Sequence, residues 1–270
     1  MIVCRSAAEL ERMREAGRLV GEVLTELMAL VAPGVTTADL DQAAEKRIRQ
    51  AGAVPAFLCY HGYPATICAS VNDEVIHGIP SPSRVLQDGD IVSIDLGAKL
   101  DGFYGDSALT VPVGRIPART AELLQVTKEA LERAIAQVRV GGRLSDLGHA
   151  VQQWAEAHGF SIVREFVGHG IGERLHEEPQ IPNYGVPGRG PKLAEGMVLA
   201  IEPMIALGRP ETRVLADGWT AVTRDGSVAA HFEHTVAVTA AGPLILTARD
   251  DAPAGAAPVV PPASKVGVRR

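Results

Sequence analysis

Apolar residues recur at helical spacing from Leu10 through Met13, Leu19, Val20, Val23, Leu24 and Leu27. Ser6-Ala-Ala-Glu9, just before them, is a capping box, so a helix is predicted to start near residue 7. Similar patterns predict helices over about 36–51, 117–138 and 145–158. Elsewhere the apolar positions form short runs of strand length: Ile67–Val71, Ile91–Ala98, Phe103–Val111, Val198–Ile205, Trp219–Thr223 and His231–Val238. Each half of the chain therefore reads as helices followed by strands.

The two halves also resemble each other. Leu86-Gln-Asp-Gly-Asp-Ile-Val-Ser-Ile-Asp95 and Leu193-Ala-Glu-Gly-Met-Val-Leu-Ala-Ile-Glu202 match at an offset of 107 residues. The same offset relates Asp39 to Asp146, each opening a helical pattern, and Gly52 to Gly159, each placed as a helix C-cap. A period this long is not that of a solenoid; it predicts two structural halves about a pseudo-two-fold axis, with a site between them. Asp95 and Glu202 each end an apolar strand run, where a carboxylate is costly to bury without a cation or several donors. Equivalent positions suggest one shared cation site.

Composition narrows the class of protein. A chain of 270 residues with 46% apolar content fits one large globular unit, predicted over 1–250 as a single catalytic domain with the internal repeat. Residues 251–270 turn to Ala, Pro and Gly and are expected to be a disordered tail. The net charge of −6 gives no reason to expect DNA binding. No window is apolar enough to span a bilayer, and the opening Met-Ile-Val-Cys-Arg lacks the core of a secretion signal. Cys4, Cys59 and Cys68 are odd in number and lack metal-ligand spacing, which favours a reducing, cytoplasmic setting.

Two further carboxylates join the pair. Asp106 follows Asp95 by eleven residues across a Gly-containing turn, a spacing that suits neighbouring strands. Strand periodicity puts His231 and Glu233 on one face of the last run and Phe232 and His234 on the other. Four gathered anions raise one another's pKa and repel unless cations are present, and two divalent ions balance four carboxylates. Oxygen ligands with one imidazole suit Mn, Fe(II), Co or Zn, and a bridged pair of such ions is a hydrolytic arrangement. The imidazole candidate is His169, in Val167-Gly-His-Gly-Ile-Gly, where glycines let backbone approach a ligand closely.

Over about residues 2–248 the chain resembles the type I methionine aminopeptidases. The resemblance is carried by His77-Gly-Ile-Pro80, Asp90-Ile-Val-Ser-Ile-Asp95, Gly102-Phe-Tyr-Gly-Asp106, Gly168-His-Gly-Ile-Gly172 with His176-Glu-Glu-Pro179, Ile201-Glu-Pro-Met204 and Phe232-Glu-His-Thr235. It implies an α+β pita-bread fold, two pseudo-symmetric halves whose curved antiparallel sheet is covered by helices. It implies Asp95, Asp106, His169, Glu202 and Glu233 as ligands of two divalent ions, Asp106 and Glu233 bridging. It implies Glu202 as general base and His77 and His176 as catalytic histidines that also contact substrate. The methionine pocket falls on Tyr60, Tyr63, Cys68, Leu175 and Trp219.

The implied activity is removal of the initiator methionine before a small second residue. Its partners are then N-terminal Met peptides and nascent chains, with the ribosome as a candidate contact and a monomer as the working form. Leu175 stands where the family commonly has an aromatic, Phe57 replaces a smaller residue, and His231 replaces a Gln; His231 is a candidate to hydrogen-bond behind the metals. One rival is a proline-specific peptidase of the same fold, which usually has Glu-Pro-Gly and Glu-Asp where this chain has Glu202-Pro-Met and Glu233-His-Thr. The other is a silent peptide-binding module, whose relatives typically lose ligands that are all present here.

Overall fold

The capping box predicted at Ser6 forms, and the second helix has one as well, which was not predicted. The computed structural model, which describes residues 1–249, starts α1 (Ala7–Leu30) with Ser6 and Glu9 bonding each other's backbone N–H groups. Thr36 and Asp39 do the same for α2 (Thr37–Gln50). The N-terminal half continues with β1 (Val54–Pro55), β2 (Ile67–Val71), β3 (Glu74–Ile76), β4 (Ile91–Leu100) and β5 (Phe103–Pro112). The C-terminal half opens with α3 (Ala118–Ile135) and α4 (Leu144–Ala157). Its strands are β6 (Ser161–Ile162), β7 (Gly168–Gly170), β8 (Glu177–Ile181), β9 (Val198–Ile201), β10 (Met204–Ala206), β11 (Thr212–Val214), β12 (Ala221–Thr223), β13 (Ala229–His231), β14 (His234–Thr239) and β15 (Gly242–Ile245). The tail expected beyond 250 lies outside the described residues.

The 107-residue repeat is written in the hydrogen bonds. Gly34 N donates to Leu86 O and Gly141 N to Leu193 O, both at 2.8 Å. Thr37 N to Arg84 O and Leu144 N to Pro191 O are both 3.0 Å, and the bridge Thr36–Val85 has its counterpart in Arg143–Lys192. The pairing of Val54 and Pro55 with Lys99 and Ala98 recurs as Ser161 and Ile162 with Ala206 and Ile205. Gly52 (φ 73) and Gly159 (φ 72) both end helices in the left-handed region, where a Cβ would be strained.

Antiparallel sheets form the inner layer. β1, β4 and β2 lie side by side with β5 on β4, and β15-β14-β9-β7-β8 is the five-stranded counterpart. Smaller sheets join β13-β10-β6 and β11-β12-β3. The apolar stripes of α1, α2, α3 and α4 bury Leu24, Leu40, Leu123 and Leu147 against these sheets in one continuous core. Truncating one such Leu to Ala typically costs about 2–5 kcal/mol. At Gly105, next to Asp106, α1 comes so close that a Cβ would lie 2.9 Å from the Gly17 backbone. That contact fixes the strand carrying Asp106.

Two predicted strands are each broken in two. The Val198–Ile205 run is interrupted at Glu202-Pro203 and the His231–Val238 run at Phe232-Glu233. Pro203 has no N–H for the ladder, and Glu233 N leaves it to donate to Ala108 O at 2.9 Å. Trp219 and Thr220 precede β12 in a turn, because the Asp217 carboxylate accepts both of their N–H groups at 2.8 and 2.9 Å. β7 and β8 are further strands that periodicity did not predict, being too short or too polar to show alternation.

Candidate metal centre and adjoining pocket

β5 of the first half meets β13 and β14 of the second along a seam of unusual hydrogen bonds. Thr235 Oγ1 accepts from Asp106 N (3.1 Å) and donates to Asp106 O (2.7 Å). Thr110 Oγ1 accepts from His231 N and donates to His231 O, both at 2.9 Å. With Glu233 N on Ala108 O, these bonds hold Asp106 and Glu233 side by side although they are distant in sequence. Asp95 arrives from β4, where Gly97 pairs with Asp106 and Asp95 with Ala108. Its carboxyl meets that of Asp106.

His169 sits on β7, paired with Ala200 two residues before Glu202. Its Nδ1 lies 2.9 Å from Gly170 O, so Nδ1–H donates there and Nε2 is left as the free lone pair. Nε2 is 3.9 Å from Asp106 Oδ2 and 3.7 Å from Glu202 Oε1. Gly168 permits this approach; a Cβ there would be 2.4 Å from Ala200 O. One ligand atom each from Asp106, His169 and Glu233 lies within 4.8 Å of the others. Asp95 and Glu202 complete the cluster, so the structure brings all five sequence-predicted ligand candidates together.

This cluster is electrostatically unsatisfied as a set of bare side chains. Burial, reinforced by the neighbouring carboxylates, pushes Asp95, Glu202 and Glu233 well above the usual carboxylate range. Burial pushes Asp106 up to about 7. Asp95 Oδ1, Asp106 Oδ1 and Glu233 Oε1 are buried without any hydrogen-bond partner. Buried oxygens of native proteins are nearly always paired, and hard divalent cations satisfy this donor set of carboxylates and one neutral imidazole. Burial also drives His169 down to about 3, keeping it neutral and able to coordinate.

Three more histidines border the cluster, His77, His176 and His231. His77 occupies the left-handed region (φ 60) after β3, its ring edge-on to Phe166 and Trp219 at 5.9 and 6.3 Å. Burial, helped by the nearby His176, lowers it to about 4. The His176 ring centroid is 4.2 Å from that of His169, and Tyr60 Oη contacts its Nδ1 at 2.7 Å. Partial withdrawal from water, then His61, lowers its pKa. His231 is buried with Nε2 unpartnered, 3.7 Å from Glu202 Oε2. It faces the site as predicted, although strand parity is not the reason, since the strand breaks before Glu233.

The predicted pocket residues form one apolar cluster beside the carboxylates. Tyr63, Cys68 and Leu175 are buried together with Phe57 and Ile171, and Tyr60, Ile79 and Trp219 pack on them. Cys68 is the cross-strand neighbour of Asp95, which ties the pocket to the carboxylate cluster. Tyr63 and Trp219 meet edge to face at 5.1 Å, and Tyr63 Oη donates to the carbonyls of Ile67 and Gly78. Sequence reasoning missed Phe166, the wall behind His77, and the Tyr60 bond to His176. It also missed Asn183, whose amide donates to Glu202 O at 2.9 Å. None lies in a periodic or repeated pattern that would have signalled it.

Comparison with known proteins agrees with this geometry. Residues 11–240 match metallopeptidase family M24. Methionine aminopeptidase 1 of Bacillus subtilis is 53% identical over 247 residues, covering 92% of this chain and 99% of the relative. The crystal structure of methionine aminopeptidase from Thermotoga maritima superposes with a TM-score of 0.90 at 47% identity, covering 92% of this chain and 99% of that one. A prolidase from Pyrococcus furiosus, at 23% identity, a TM-score of 0.75 and 92% and 66% coverage of this chain and of that one, shares the pita-bread fold alone. The chain belongs to metallopeptidase family M24 and, within it, to the methionine aminopeptidases.

Proposed function

We propose that the protein removes N-terminal methionine from peptides and nascent chains by metal-assisted hydrolysis, with a preference for a small second residue. The observation that carries the reading is the convergence of five ligand-type side chains, three with orphaned buried oxygens, against an apolar pocket. Asp95, Asp106, His169, Glu202 and Glu233 would hold two divalent ions. Such ions supply a hydroxide nucleophile near neutral pH and polarise the scissile carbonyl.

The chain's own groups do the rest. Glu202 holds the proton released in the attack, its backbone steadied by Asn183. Tyr60 Oη lies 2.7 Å from His176 Nδ1, and the phenol donating there holds the tautomer with its proton on Nε2. The His176 Nε2–H is thereby left to donate to the developing oxyanion, a contact typically worth about 3–4 kcal/mol. His77, neutral above about pH 4, hydrogen-bonds the scissile amide and helps its nitrogen leave. The thioether of methionine suits the polarisable wall of Tyr63, Cys68, Leu175 and Trp219, and its burial contributes roughly 1.5–3 kcal/mol.

The finer parts of this reading are a single catalytic unit over 1–250, a monomer, a cytoplasmic location and action near the ribosome on emerging chains. Support for the compartment comes from the odd number of cysteines without metal-ligand spacing; among the described residues no helix is long and apolar enough to cross a membrane. Incubation of metal-loaded protein with Met-Ala-Ser and with Xaa-Pro peptides tests the activity. Cleavage of Met-Ala-Ser is expected; cleavage of Xaa-Pro alone overturns the assignment in favour of a proline-specific peptidase.

A further inference from the structure

Arg5 precedes α1, is absent from every motif above, and lies far from the ligands in sequence, yet it is buried. Its Nη2 lies 2.6 Å from both oxygens of Glu177, whose side chain is also buried, and its Nη1 lies 3.4 Å from the exposed Glu173. Its backbone N–H donates to Gly196 O at 2.7 Å, joining the segment to the strand entry before β9. The guanidinium also fills the space beside Gly172, where a Cβ would meet Nη2 at 2.1 Å.

The partners of Arg5 bracket one loop. Residues 172–177 leave β7 and enter β8, carrying Leu175 into the pocket and His176 onto Tyr60. On one side the loop is fixed by Tyr104 N on Gly172 O at 2.8 Å, from the strand that bears Asp106. On the other, Glu177 is held by Arg5 and accepts from Arg174 N at 3.1 Å. A buried carboxylate next to the loop's catalytic-type histidine thus has its charge met by a cation from a different part of the chain.

We propose that Arg5 is a positioning residue for the reaction: through Glu177 it sets the loop that aims His176 and Leu175. This rests on the proposed role of His176. A guanidinium is suited to the task because its rigid plane sets Nη2 on both oxygens of Glu177 while Nη1 points to Glu173, two contacts in fixed relation that a single ammonium does not reproduce.

The experiment compares the full-length, metal-loaded protein with Arg5→Ala, Arg5→Lys and Glu177→Gln, with active sites counted by titration with a tight-binding inhibitor and Tm recorded. For Arg5→Ala, kcat per active site on Met-Ala-Ser should fall about tenfold or more with metal content unchanged. Millimolar guanidinium, but not equal sodium chloride, should restore much of it. Arg5→Lys should recover only part of the loss, and Glu177→Gln, which keeps side-chain shape, should lower kcat in the same direction. Unchanged kcat per active site in both Arg5→Ala and Glu177→Gln, with only Tm lowered, overturns the proposal. Should the unsubstituted protein fail to cleave Met-Ala-Ser at all, the activity assignment fails instead, whatever the variants do.

Discussion

The two halves share a scaffold to within tenths of an ångström in their paired hydrogen bonds, yet they deliver their candidate ligands differently. The first half presents Asp95 and Asp106 from an unbroken hairpin of two ten-residue strands, β4 and β5. The second presents Glu202 and Glu233 from strand breaks and His169 from a three-residue strand. A short side chain on a rigid ladder and a longer one at an interruption reach the same centre from opposite sides. The comparison also locates the asymmetric part: Asp95 and Glu202 are 107 residues apart but Asp106 and Glu233 are 127 apart. The extra 20 residues fall between β10 and β13 and contain the β11–β12 hairpin, which brings Trp219 and pairs with β3 just ahead of His77. The repeat built the metal centre, and the insertion built a wall of the pocket.

The largest expected effect tests whether both halves are needed. Asp106→Asn and Glu233→Gln keep shape while removing one anion from each half. Each should lower kcat/KM by at least about 100-fold and reduce bound metal measured by elemental analysis. A silent variant on either side breaks the idea of one shared centre.

Next in size is the linkage of metal to pH. Raised carboxylates, Asp106 at about 7 against 3.8 unfolded, stay protonated in the metal-free fold where the unfolded chain has lost its protons. Their contribution to metal-free stability is therefore present at low pH and lost as pH rises through about 7. His77, at about 4 against 6.5, acts oppositely, its contribution being lost as pH falls from about 6.5 through 4. Metal must displace the carboxyl protons, so affinity should rise about tenfold per pH unit for each proton displaced. Calorimetric titration with Mn(II) in buffers of different ionisation enthalpy at about pH 6 and 8 checks this; a pH-independent affinity without proton release contradicts the buried-cluster picture.

A smaller effect isolates the insertion. Trp219→Ala should raise KM for Met-Ala-Ser about tenfold while metal content holds, since it removes apolar wall and no ligand. A fall in metal content with unchanged KM would mean that the hairpin serves the centre and not the pocket. Ending the chain after Asp250 should have the smallest effect, leaving kcat/KM on tripeptides within about twofold. A lost activity would extend the catalytic unit past the repeat.

Much of this was legible because it is local or repeated. The capping box at Ser6, the C-cap glycines and the doubled strand motif depend on near neighbours, and the repeat alone singled out Asp95 and Glu202. What escaped was non-local. The break at Glu233 depends on Ala108, the Tyr60–His176 bond joins residues 116 apart, and the pairing of Arg5 with Glu177 spans 172. Periodicity carries no trace of such partners.

By itself the sequence determined the helices, the doubling and the identity of the acidic residues, because backbone propensity and side-chain period are fixed by adjacent residues. Only the tertiary structure decided that Asp106 and Glu233 lie side by side, that buried oxygens among them lack donors, and which pocket wall stands next to them. Those facts arise where the two halves meet, and the energy of burying charge there depends on which groups surround it, not on their order along the chain.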